Sequence, residues 1–250
     1  MRPSGMACAA ASSAPLLVTV LRSISVSIRP GATALAGVRA IAQLGLAAVV
    51  IASVVQHLAL SVLLLCGMFT VAVVTTVRRI GAVHAWPWAT AAMLAGLLPV
   101  LAIILGTGTI PPTGLALIPV VGILAGNTMN GHTLTCRRAF EALRDEHAQY
   151  EAGLSIGLPR ASAIAEVIHR RVPEALIPGL DQVRTAGVVT LPGAFIGVLL
   201  GGGSPAQAAA AQVLVLFGIM ASQTVTAVVA ERFIMAARLL PTDLRSALRP

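Results

Sequence analysis

Long stretches of this chain carry no formal charge. Between Arg79 and Arg137 there are 57 residues without an Asp, Glu, Lys or Arg; between Arg39 and Arg78 there are 38, and between Arg184 and Glu231 there are 46. A helix needs about 20 consecutive apolar residues to cross the hydrocarbon core of a bilayer, so each interval has room for two crossings. Only 10% of the 250 residues are charged, and mean hydropathy is +0.90. A soluble domain averages about 25% charged residues and could not cover its surface with so few. The composition excludes a soluble enzyme, a disordered chain and a disulfide scaffold. It predicts an all-α, polytopic integral membrane protein.

The breaks between crossings fall at turn formers. The first interval divides near Gln56-His57. The second holds spans at about 88–105 and 115–136, separated by Gly106-Thr-Gly-Thr-Ile-Pro-Pro-Thr-Gly114. The third holds spans near 188–200 and 208–230, separated by Gly201-Gly-Gly-Ser-Pro205. That makes six helices. Residues 6–21 are short and carry Ser12, Ser13 and Pro15, so residues 1–30 read as a weak first span or an N-terminal extension, or as the apolar region of a signal peptide behind Arg2. The membrane domain then runs over 31–250. Arginines sit at 29, 39, 78–79, throughout 137–184 and near the C-terminus, while the opposite loops hold none. The positive-inside rule places the arginine side, and with it the C-terminus, in the cytoplasm.

All 17 basic residues are arginine. Without a lysine there can be no GxxxxGK[ST] phosphate loop, so the chain has no such ATP site of its own. The net charge of +8 does not signal nucleic acid, because the arginines flank apolar spans instead of interleaving with aromatics. Cys8, Cys66 and Cys136 are far apart and form no CxxC pair. There is no HExxH, no GxSxG and no pair of membrane-embedded aspartates, so an intramembrane enzyme is disfavoured. Glu146, His147 and Glu151 include an i,i+4 pair that could touch a metal, but on so charged a helix they read first as solvated residues.

Residues 137–183 form the one strongly polar stretch: 137–184 holds seven arginines and seven acids. Its first part reads as a continuation of the preceding membrane helix. Gly157 and Pro159 then end one helix, and another begins. In that second helix, over 160–173, Ile164, Val167, Ile168 and Val172 share one face, with Glu166 and Arg170 opposite. Such a helix either lies on the bilayer surface or docks into a groove of a partner.

Two polar clusters interrupt the spans. In Ile118-Pro-Val-Val-Gly122-Ile-Leu-Ala-Gly126-Asn127-Thr-Met129-Asn130-Gly131 two asparagines three apart share a helix side, and Gly122 and Gly126 offer a GxxxG approach to another helix. The asparagines either bond between packed helices or line a path. In Asp181-Gln-Val-Arg184-Thr185-Ala-Gly187-Val-Val-Thr-Leu191-Pro192-Gly193 the first acid and arginine are spaced to pair. Pro192-Gly193 is placed to break a span, as happens at transporter sites. Candidate path residues are Asn127, Met129, Asn130, Thr185, Pro192 and Gly193.

These clusters, with Gly37-Val-Arg39-Ala-Ile-Ala-Gln43-Leu44, the stretch from Glu151 to Gly157, Ala175-Leu-Ile-Pro178, Ser204-Pro205 and Gln212, resemble the FetB/YbbM-type iron-export ABC transporter permeases. The likeness covers roughly residues 35–235, and plant relatives of that family include aluminium-tolerance proteins. It implies a subunit of about seven helices in the bacterial inner membrane and a homodimeric permease core. It also implies that ATP is hydrolysed by a separate ABC ATPase gripped by the cytoplasmic segment, with no cofactor in this chain and lipid as its surroundings. By that likeness Glu151, Gly157, Arg160, Glu166 and Arg170 are the coupling residues. The family usually has methionine at Ile123, a methionine pair at Ala194-Phe195 and a glutamine near Val198, so several soft or polar metal contacts are apolar here. A self-sufficient channel or secondary transporter is the alternative, although the spans lack the embedded carboxylate that ion coupling normally needs.

Overall fold

The computed structural model describes residues 57–108, 113–187, 193–200 and 202–248, with a few helical residues between 35 and 53. The chain divides into two units, residues 1–53 and 54–250. In the first, residues 35, 37–43, 45–46 and 53 are helical. The possible first span at 6–21 lies outside the described residues.

Every element described in the second unit is helical: α1 (Leu58–Arg79), α2 (Trp86–Gly106), α3 (Gly114–Asp145), α4 (His147–Ser155), α5 (Arg160–Ile168), α6 (Ile177–Thr185), α7 (Gly193–Leu200), α8 (Pro205–Met235) and α9 (Thr242–Ala247). Short 3-10 segments at Val83–Ala85 and Val172–Leu176 lead into α2 and α6. Among the described residues three stretches are long and apolar enough to cross a membrane: Leu58–Arg79, Val83–Gly106 and Pro205–Met235. The breaks fall where the turn chemistry requires. α1 starts after His57 and ends at Arg79, and Gly81 beyond it takes φ +71. Ser204 caps α8 with a full capping box: its Oγ accepts from the Gln207 N–H at 3.2 Å, and Gln207 Oε1 accepts from the Ser204 N–H at 2.9 Å. Pro205, with no N–H to leave unpaired, opens the helix.

α3 has 32 residues. At 1.5 Å per residue it is about 48 Å long, well beyond a hydrocarbon core of about 30 Å. It carries Pro119 without ending there.

Small residues let the long helices approach one another, as packing in lipid favours. A Cβ at Gly96 of α2 would run into Thr226 Oγ1 and the Ser222 carbonyl of α8; one at Gly218 of α8 would lie 3.1 Å from Val100. Of the two glycines that the sequence suggested for close packing, Gly122 abuts Met68 of α1, with a Cβ 3.1 Å from its methyl carbon. Among the described residues Gly126 has no such neighbour within 4 Å.

At the arginine-rich end a second core forms. Phe140 and Leu143 of α3, Tyr150 of α4, Ile164, Val167 and Ile168 of α5, Ile234 of α8, and Leu239, Leu240, Leu244 and Leu248 are all buried in one cluster. Each such Leu or Ile taken from water contributes about 1.5–3 kcal/mol. The four apolar residues expected on one face around α5 are all buried there. That face therefore packs against this chain's own helices and lies neither on a bilayer surface nor in a partner's groove. The helix also ends at Ile168, earlier than the 160–173 expected, and Val172 enters the core from the 3-10 segment. Glu166 and Arg170 remain exposed on the outer side.

Candidate functional site

A buried polar band runs through the helix packing. Thr76 Oγ1 of α1 lies 3.2 Å from His132 Nδ1 and 2.6 Å from Thr133 Oγ1, both on α3. Thr133 donates to the Met129 carbonyl at 2.8 Å. A hydroxyl has one proton, so the geometry orders the chain: His132 Nδ1–H donates to Thr76, Thr76 to Thr133, and Thr133 to the main chain. Nearby, the Thr128 and Ser222 hydroxyls bond across α3 and α8.

Next to this band a cleft of about 380 Å³ opens between α3, α6, the end of α1 and α8. Asn127, Asn130, Thr133, Arg79, Arg137, Gln182 and Gln223 supply its polar lining. Gln223, 5% exposed, is one of its lining residues. Its amide donates to the Asn127 carbonyl at 3.1 Å, while Asn127's own side chain is turned to the Ile123 carbonyl at 2.9 Å. Two glycines make room for it. A Cβ at Gly131 would meet Gln223 Cγ at 2.9 Å, and one at Gly179 would overlap Gln223 Oε1.

Two of the candidate path residues, Asn127 and Asn130, line this cleft together. Met129 does not; it packs against Ala72, Val73 and Met93 in the helix interior. Thr185 is exposed at the end of α6 and donates to the Asp181 carbonyl at 2.9 Å. Asp181 and Arg184 pair as their spacing suggested, at 3.5 Å. Pro192 is outside the described residues, and Gly193 begins α7 with nothing within 4 Å of a built Cβ. Sequence reasoning passed over Gln223, Gly179, Gln182, Arg79 and Arg137. The available signal was an amide inside the apolar run of α8, one of three glutamines in that helix.

The candidate coupling residues lie on the outer rim of the second core. Glu151 is exposed and faces His147 Nδ1 at 3.5 Å. Gly157, at φ +89, turns the chain between α4 and α5 in a conformation that L side chains rarely adopt. Arg160 starts α5, with its Nε buried and unpartnered among the described residues. The neighbouring α9 is held by Arg144, whose Nε and Nη2 reach Asp243 Oδ2 at 2.9 and 2.8 Å. Burial by itself raises the Asp243 pKa, but the Arg144 hydrogen bonds, the Leu244 N–H and the Arg144 charge outweigh it. The carboxyl is held below its ordinary 3.8.

Comparison with known proteins bears on what such a site serves. The sequence profile described as "Uncharacterised protein family (UPF0014)" matches residues 9–238. The chain is 31% identical over 140 residues to the UPF0014 membrane protein STAR2 of Oryza sativa subsp. japonica, covering 56% of this chain and 49% of that one. It is 30% identical over 130 residues to the probable iron export permease protein FetB of Escherichia coli K12, covering 52% and 50%. With the protein ALUMINUM SENSITIVE 3 of Arabidopsis thaliana it shares 30% over 118 residues, covering 47% and 43%. The chain thus spans about half the length of the curated relatives it matches. No solved structure is similar to it.

Proposed function

The chain belongs to the UPF0014 family, and from that premise we propose that it is the permease subunit of an ABC transporter, exporting a metal ion or a related small solute with energy from a separate ATPase. The likeness to a relative named as an iron export permease supports transport as the activity and iron as the first cargo to test. The six crossings, the cytoplasmic placement of 137–184 and the C-terminus, the inner-membrane location and the homodimeric core belong to the same proposal. So does the lack of a nucleotide site in this chain.

The observation that carries the reading is the burial of Ile164, Val167 and Ile168. They join α5 to the ends of α3 and α8 in one core. A subunit pressing on the outer face of α5 would therefore move two of the long helices with it. Two-state rearrangement follows from such contacts because packed cores reposition as units. Alternate exposure of the cleft by that motion is the transport step. Glu151, Gly157, Arg160, Glu166 and Arg170 ring the surface that the ATPase would grip, and Asn127 and Asn130 lie on the cargo's route.

The test is a mild-detergent pull-down of the tagged chain from its own membranes, with mass spectrometry of what accompanies it. A stoichiometric P-loop ATPase, lost in Glu166→Arg or Arg170→Glu chains that still fold, supports the proposal. A chain that emerges alone overturns it and leaves ion flux through a channel or secondary transporter as the activity to measure.

A further inference from the structure

The cleft carries a charge pattern unlike that of a site for a bare metal cation. Two arginines, four side-chain amides and the Thr133 hydroxyl supply its polar lining, and no carboxylate lines it among the described residues. Arg138, Arg144, Arg171 and Arg184 each pair with an acid. Among the described residues, Arg79 and Arg137 form no ion pair. Arg137 Nη2 instead donates to the Arg79 carbonyl at 3.4 Å, which fixes it beside the end of α1. That contact uses one of five guanidinium N–H donors. Gln223, another lining residue, is held between Gly131 and Gly179.

We propose that this cleft binds a small oxyanion, a phosphate or carboxylate group carried either by a free solute or by a lipid headgroup. Arginine presents a planar fork that matches both groups in bidentate fashion, and it keeps its charge at any working pH. Both arginines are exposed to solvent at the cleft, so their pull on an anion acts through water and is strongest at low salt. The volume of about 380 Å³ falls within the range of about 300–1,000 Å³ usual for small-molecule sites. As an account of cargo, this rests on the permease reading: a metal would enter as an anionic chelate and not as the bare ion. Binding of the oxyanion itself does not depend on it.

The experiment uses the full chain in nanodiscs of phosphatidylcholine, titrated with inorganic phosphate and with citrate at low salt. Binding should weaken about tenfold in Arg79→Gln and in Arg137→Gln, persist in Arg137→Lys, and be unchanged in Arg78→Gln, whose residue does not line the cleft. Thermal melts and size-exclusion profiles confirm that each variant is folded. In a second arm the discs contain phosphatidylglycerol, and native mass spectrometry counts retained lipid. Retention that depends on Arg79 and Arg137 and blocks phosphate identifies a headgroup as the occupant, whereas phosphate or citrate binding despite the lipid identifies a free solute. No anion binding together with lipid retention equal in all variants, or cleft variants that bind like the unaltered chain, would overturn the proposal. A positive result in a chain that recruits no ATPase would keep the oxyanion site and remove the permease reading.

Discussion

Tyr150 in α4 donates its phenolic O–H to the main-chain carbonyl of Leu248 at 3.2 Å, and both residues are buried. The bond fastens the turn after α9 to the segment between α3 and α6, which is also where Arg144 meets Asp243. α5 is thus backed by a double attachment, one buried and one exposed. Tyr150→Phe keeps the ring and strands the Leu248 carbonyl. It should cost about 1–3 kcal/mol, seen as a lowered Tm in detergent.

The exposed attachment predicts a pH dependence. The folded pKa of Asp243 lies below its ordinary 3.8. Its stabilising contribution is therefore present above that value and is lost as pH falls through the folded pKa. Asp243→Asn should lower Tm at pH 7, and the difference from the unaltered chain should shrink as pH falls below the ordinary 3.8. Equal differences at both pH values would show that Arg144 does not act through the charge.

At the cleft, Gly179→Ala should displace Gln223, since the added methyl would overlap its Oε1. The bond from Gln223 to the Asn127 carbonyl would be lost with it. Gln223→Ala removes the obstruction, so the double variant should be more stable than the sum of the two single changes predicts, by about 0.5–3 kcal/mol of coupling. Thermal unfolding of the four chains measures it.

In the buried band, Thr76→Val leaves His132 Nδ1–H without its acceptor and Thr133 without its donor. The cost should be about 1–3 kcal/mol. Thr76→Ser keeps the hydroxyl and should recover most of the loss. Parallel melts of the two variants check the ordering of the chain.

How much of this could be read from the sequence differs by level. The charge-free intervals and the glycine-proline breaks located α1, α2 and α8, because burying a charge in lipid is costly and turn chemistry is local. The face of Ile164, Val167 and Ile168 was legible from its period. What covers that face was not, because Leu239, Leu240, Leu244 and Leu248 approach it from about 70 residues later in the chain. Separation along the chain also hid Gln223: its importance comes from Gly131 and Gly179, two glycines whose meeting no local pattern reveals. Met129 sits between Asn127 and Asn130 in the sequence, yet one step along a helix turns a side chain by about 100°, here away from the cleft and against Ala72, Val73 and Met93. Gly157 was legible because glycine readily takes the positive φ that ends α4.

Replacing Glu166 with a photo-crosslinking residue in native membranes tests the central claim most directly. Glu166 is exposed on the outer face of α5, while Ile164 and Val167 beside it are fully buried. Illumination should attach the chain to a P-loop ATPase identified by mass spectrometry, and the same residue placed at Val213, on the exposed apolar side of α8, should not. Adducts from position 166 with lipid or with the chain itself, and none with an ATPase, would contradict the account.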